Sequence, residues 1–112
     1  MFRFGFCKRQ VKLKFLSLTL LLATMSACVT SPPPIDEYTL ARAALEAARS
    51  VEAAKYSAGN WHQAEEIYKK AEIFYRDKEY DEAKKYFLRA KLAAEKAENS
   101  ARLIRQKTGD VL

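Results

Sequence analysis

The sequence predicts an all-α chain: a small antiparallel three-helix bundle or helical-hairpin repeat, preceded by a targeting segment and a proline-rich tether. Three observations carry this. From Asp36 onward there is no proline, and glycine occurs only at Gly59 and Gly109. Alanine, glutamate, lysine and arginine, all good helix formers, dominate the same stretch, and no part of it alternates polar and apolar residues as a strand does. An aromatic–alanine spacing also recurs three times along it.

The N-terminal part reads as targeting sequence. Residues 1–14 hold Arg3, Lys8, Arg9, Lys12 and Lys14 and no acid, and residues 15–23 form an apolar run. A helix needs about 20 apolar residues to cross a bilayer, so the run is too short to span one. A basic segment, a short apolar run and small residues before a cut site describe a secretory signal peptide, here residues 1–27. The cut site reads Met25-Ser26-Ala27-Cys28. It resembles the lipobox of bacterial lipoproteins, with Met25 where leucine is commonest. The resemblance implies cleavage between Ala27 and Cys28 and a lipid, palmitate among its acyl chains, on the Cys28 thiol. Val29 follows, and a residue other than Asp there favours the outer membrane, facing the periplasm.

Removing residues 1–27 changes the charge. The whole chain has 20 basic and 14 acidic residues and a pI near 9.4. Five of the basic residues leave with the signal, so 15 remain against 14, a net +1. The basic pI belongs to the targeting segment, and no nucleic-acid partner is expected from it. Cys7 leaves as well and Cys28 is acylated, so the exported domain has no disulfide.

Residues 28–35 form the lipidated tether, in which Pro32, Pro33 and Pro34 favour polyproline II. The helical domain is expected over 36–108, with a tail at 109–112. Its first helix is placed at about 37–57, with Asp36 as N-cap and Gly59 just past its end. The second is placed at about 61–76, with Asn60 as cap and Gln63 completing a capping box. The third is placed at about 79–107. Asp77 stands near its start, acidic residues at 79, 81 and 82 suit its N-terminal end, and Gly109 follows it.

The repeat supports this division. Trp61, Ala64, Ile67, Tyr68 and Ala71 share one spacing with Tyr80, Ala83, Tyr86, Phe87 and Ala90, nineteen residues on. Tyr38, Ala41, Ala44, Leu45 and Ala48 echo it. These positions fall on one helical face, where aromatic knobs alternate with alanine gaps. Glu65 with Lys69, Glu66 with Lys70 and Asp81 with Lys85 are spaced for i,i+4 ion pairs on the other faces. The aromatics are therefore expected in helix–helix contacts, with Tyr56 and Tyr75 partly exposed.

Two resemblances rest on these residues. Tyr80-Asp81-Glu82-Ala83 with Phe87 and Ala90 is similar to the second half of a tetratricopeptide repeat, and so are Gly59, Trp61, Ala64, Tyr68 and Ala71. The period is nineteen rather than 34 residues, and Glu95 stands where that motif has proline, so peptide binding is not transferred from it. The lipobox, ARAALEAARSVEAAKYS, AEEIYKKAE and YDEAKKYFLRAKLAAEKAE resemble the domain-of-unknown-function 4398 family over roughly residues 28–106. That family comprises short helical envelope lipoproteins, and the resemblance implies location and fold but no catalytic residues.

Little in the chain suggests chemistry. His62 is the one histidine, too few for a zinc site. Glu65–Glu66 and Asp81–Glu82 are adjacent on helices and solvated rather than paired in a cleft. No catalytic residue, metal, cofactor or small-molecule substrate is expected. The expected role is a lipid-anchored, non-enzymatic helical interaction or structural domain. The alternatives are a tetratricopeptide-like adaptor binding an extended peptide of an envelope machine, or a cell-wall-binding protein.

A candidate partner surface lies at the end of the third helix. At about 1.5 Å per residue that helix outreaches the second, and an apolar register continues along its overhang. Ala97, Ala101, Arg102, Leu103, Ile104 and Arg105 are its residues. A coiled-coil-like contact there would serve self-association or another envelope protein.

Overall fold

The structure is a computed structural model and describes residues 11–16 and 31–109. The expected signal cleavage at Ala27, lipidation at Cys28 and the tail beyond Gly109 lie outside the described residues. Two units are present, residues 1–30 and 31–112. In the first, residues 11–16 are helical (α1). The second consists of α2 (Ile35–Ser50), α3 (Ala53–Tyr56), α4 (Ala58–Arg76) and α5 (Tyr80–Thr108). No strand occurs among the described residues.

The central element is α5, and both α2 and α4 pack along it. Lys84 on α5 reaches Glu37 at the start of α2 (3.0 Å), and Arg105 approaches Glu52 just past its end (3.9 Å), so α2 runs parallel to α5. The chain reverses between α4 and α5, where Tyr75 meets Tyr80 and Phe74 stacks on Tyr86. At the other end Trp61 packs with Ala94, Ala97 and Ala101, so α4 is antiparallel to both neighbours.

The repeat read in the sequence is the core. Ala41, Ala48, Ala64, Ala71, Ala83 and Ala90 are all fully buried, as the alternation of knobs and gaps requires. Eleven of the fifteen buried hydrophobics are alanines, which lets the helices approach closely around few large side chains. Phe87 is the one large side chain buried completely among the described residues, and it holds one of two clusters. Leu45, Val51 and Trp61 fill the other.

The structure corrects several expected boundaries. The helix expected over 37–57 is two pieces: α2 ends at Ser50, and Glu52 is left-handed (φ 58°) before α3. The break lets Val51 and Ala53 turn inward against α5, where both are buried. Gly59 does not end a helix. It is the second residue of α4, which starts a turn earlier than expected after the buried Ser57. Asn60 is therefore inside α4 rather than its cap, and its Nδ2 donates to Ser57 Oγ (2.9 Å), so the capping box with Gln63 does not form. Pro34, not Asp36, occupies the N-cap of α2, which leaves Asp36 and Glu37 in the first turn. Pro34 is buried, so the end of the expected tether belongs to the helical unit.

The α4–α5 turn is a Schellman motif. Glu79 N–H donates to Phe74 C=O (2.9 Å) and Lys78 N–H to Tyr75 C=O (3.2 Å), with Lys78 left-handed at φ 63°. Gly109 is also left-handed (φ 77°) and follows α5 as its spacing predicts.

Candidate functional site

Because α2 and α4 each lie along α5 and barely meet one another, a groove is left between them. Its floor is aromatic. The Tyr38 ring stacks at 6.3 Å from Tyr68 and 6.1 Å from Tyr75, and meets Phe87 edge-on at 5.4 Å. Tyr68 meets Phe87 edge-on as well, at 5.6 Å. Phe87 rises from α5 and is covered, while the three tyrosines are half-buried. Two adjoining hollows share Glu72: one of about 240 Å³ beside Leu45, Trp61 and Tyr68, the other of about 510 Å³ beside Tyr38, Tyr75 and Phe87.

The rim carries both signs of charge. Arg42, Glu46 and Arg49 line the α2 side, and Glu65, Lys69, Glu72 and Arg76 line the α4 side. Arg49 is ion-paired with Glu46 (2.7 Å) and lies over the Trp61 ring at 5.7 Å, so it closes that end. His62 Nδ1 stands 3.8 Å from Glu65 on the outer flank of α4. Burial pushes the Tyr68 phenol well above its ordinary pKa, and its hydrogen bond with Tyr38 and the nearby Glu72 carboxylate add to this. Tyr68 is thus a neutral hydrogen-bonding group on an apolar floor. Such a surface offers stacking area, a few polar contacts and charges of either sign, the features of a recognition groove.

The surface expected at the end of α5 is not one surface. Ala97 and Ala101 are fully buried, and Arg105 is buried beside Glu52 with its guanidinium over Tyr56 at 5.4 Å. The reason is α3. After the break at Glu52 the chain packs against the last turns of α5 and covers the overhang that helix lengths alone leave bare. Leu103 and Ile104 remain exposed, and Arg102 is exposed and bonded to Glu98 through Nε (3.0 Å) and Nη2 (2.7 Å). The structure brings none of these six to the groove.

Residues 36–109, most of the helical unit, match the family model described as a domain of unknown function, DUF4398. The chain belongs to the DUF4398 family. The match takes in all of α3, α4 and α5 and all but the first residue of α2, so both walls and the floor of the groove lie within the DUF4398 segment. No curated protein matches the chain, and no solved structure does.

The groove tyrosines do make the helix–helix contacts that the sequence suggests, Tyr38 with Tyr68, Tyr75 and Phe87, but the opening between α2 and α4 was not visible in the spacing. Tyr56 and Tyr75 are half-buried, as their positions suggest. One signal was available. Tyr38, Tyr68 and Tyr75 are spread over two helices that both need the single face of Phe87, which is too small to cover them all. Among the described residues no group of three or more His, Cys, Asp or Glu is placed to hold a metal ion, and no helix is long and apolar enough to cross a membrane.

Proposed function

We propose that the chain is a lipid-anchored cell-envelope protein, attached through Cys28 and facing the periplasm from the outer membrane. Its helical unit binds an extended segment of another envelope protein in the groove between α2 and α4, without catalysis. The observation that carries the binding role is the groove floor: Tyr38 stacks across from α2 onto Tyr68 and Tyr75 of α4, yet all three rings stay only half-buried and keep part of their surface open in the groove. Half-buried aromatics ringed by mixed charges suit a peptide, which supplies apolar side chains and both kinds of polar backbone group. Pairing of the rim carboxylate of Glu46 with Arg49 favours recognition over acid–base work. The anchoring role is supported by Met25-Ser26-Ala27-Cys28 after a basic and then apolar N-terminus.

Two measurements test the two halves. Cys28→Ser should abolish incorporation of labelled palmitate, and continued labelling would end the anchoring reading. A photo-activated cross-linker at Glu72, in the groove, should capture an extended segment of an envelope protein in intact cells. The same group at Glu66, exposed outside it, should not. Identical products from both positions would end the groove reading.

A further inference from the structure

The outward face of α5, opposite the core, carries a second pattern that the groove does not use. Leu88, Leu92 and Leu103 are exposed there, Leu92 and Leu103 by about six-tenths. At 3.6 residues per turn they share an arc of roughly 140° with Lys84, Lys85, Arg89, Lys96, Arg102 and Lys107. Within that arc the acids are Asp81 and Glu95, and from its borders Glu37, Glu82 and Glu98 pair with Lys84, Lys85 and Arg102, while Lys91 pairs with Glu95. With these partners counted, seven cations meet five acids and the face nets +2, against +1 for residues 28–112 together. The exposed charged groups of α2, Asp36, Arg42, Glu46 and Arg49, cancel. Neither Arg89 nor Lys96 takes part in the ion pairs formed among the described residues. A leucine row bordered by lysine and arginine is the arrangement by which a helix lies on an anionic lipid surface.

The start of the helical unit points the same way. Ser31 Oγ donates to Asp81 Oδ1 (2.7 Å), and Asp81 stands on this face of α5 at its N-terminal end. Cys28 is three residues before Ser31, at most about 11 Å of chain. An anchor on Cys28 therefore holds this edge of the molecule at the lipid surface, and the leucine row extends from that edge along α5.

We infer that the outward face of α5 lies on the membrane leaflet that holds the anchor, with its lysines and arginines on anionic phospholipid headgroups and Leu88, Leu92 and Leu103 at the acyl boundary. The groove between α2 and α4 then opens away from the lipid. The inference rests on the anchoring reading for its geometry, while the charge pattern of the face stands without it.

The test is lysine acetylation footprinting of the chain purified from membranes. The protein is placed in vesicles of phosphatidylcholine, with or without phosphatidylglycerol as the minor component. With phosphatidylglycerol, labelling of Lys85 and Lys96 should fall about five-fold, the effect of roughly one headgroup contact each. Labelling of Lys69 and Lys70 on α4 should not change. Leu92→Glu, at an exposed position, should remove the protection while the helical content stays the same. Equal labelling in both vesicles overturns the inference. Protection that appears in detergent and follows protein concentration also overturns it, because a second copy then covers the face. The acyl mass on Cys28, read from the same sample, decides the anchoring reading separately: an unacylated chain that still shows lipid-dependent protection keeps the face and loses the anchor.

Discussion

Replacing Gly59 by alanine separates the fold from the reading that helix spacing alone suggests. Gly59 is the second residue of α4, its φ is not left-handed, and a Cβ built on it meets nothing within 4 Å. An added methyl therefore costs no clash. It removes freedom from the unfolded chain and raises helix propensity, together worth about 0.4–1 kcal/mol. For a domain of this size each kcal/mol moves Tm by roughly 4–8 °C, so the variant should melt about 2–8 °C higher. A first-turn position favours the lower half of that range. If Gly59 instead ended a helix in the left-handed region, alanine there would cost about 1–2 kcal/mol and Tm would fall by roughly 4–16 °C. Thermal melting followed by far-UV circular dichroism reads the sign directly. A lower Tm for Gly59→Ala would refute the placement of the α3–α4 break at Ser57.

Other outcomes follow from the same geometry. Lys78→Gly should stabilise by about 0.5–1 kcal/mol, since Lys78 holds the left-handed position of the Schellman motif; denaturant titration reads it. Ala83→Leu and Ala90→Leu should each destabilise by about 1–3 kcal/mol, because both sites are fully buried, while Ala43→Leu on the exposed side of α2 should be nearly neutral. Phe87→Ala should cost about 3–5 kcal/mol and loosen the groove floor, seen as loss of the near-UV signal of the tyrosines. Glu37 has its carboxylate pKa lowered, first by a backbone hydrogen bond and then by Lys84. The charged form is thus favoured in the folded state, so this stabilisation is present above the ordinary carboxylate pKa and is lost as pH falls through the lowered value. Glu37→Gln should flatten the acid limb of a stability–pH curve, and an unchanged limb would refute the Glu37–Lys84 contact.

The sequence by itself determined the helical class, the face each helix buries and the end of α5 at Gly109. The reason is local: alanine gaps at three and four residues lie on one side of a helix whatever it packs against, and each of those in the repeat is buried. The break after Ser50 and the turn at Lys78 were decided by tertiary structure. Both use a left-handed residue that is not glycine, Glu52 and Lys78, so no punctuation marks them in the sequence. The left-handed cost is offset at Glu52 by burying Val51 and Ala53 and by the approach of Arg105, and at Lys78 by the hydrogen bonds of the turn. The same break decided the fate of the expected partner surface, because α3 reaches the end of α5 only once the chain turns at Glu52. The groove depended on tertiary structure too. Tyr38, Tyr68 and Tyr75 look like core residues from their spacing, and they line an opening because α2 and α4 pack mainly on α5 and meet each other chiefly through these rings.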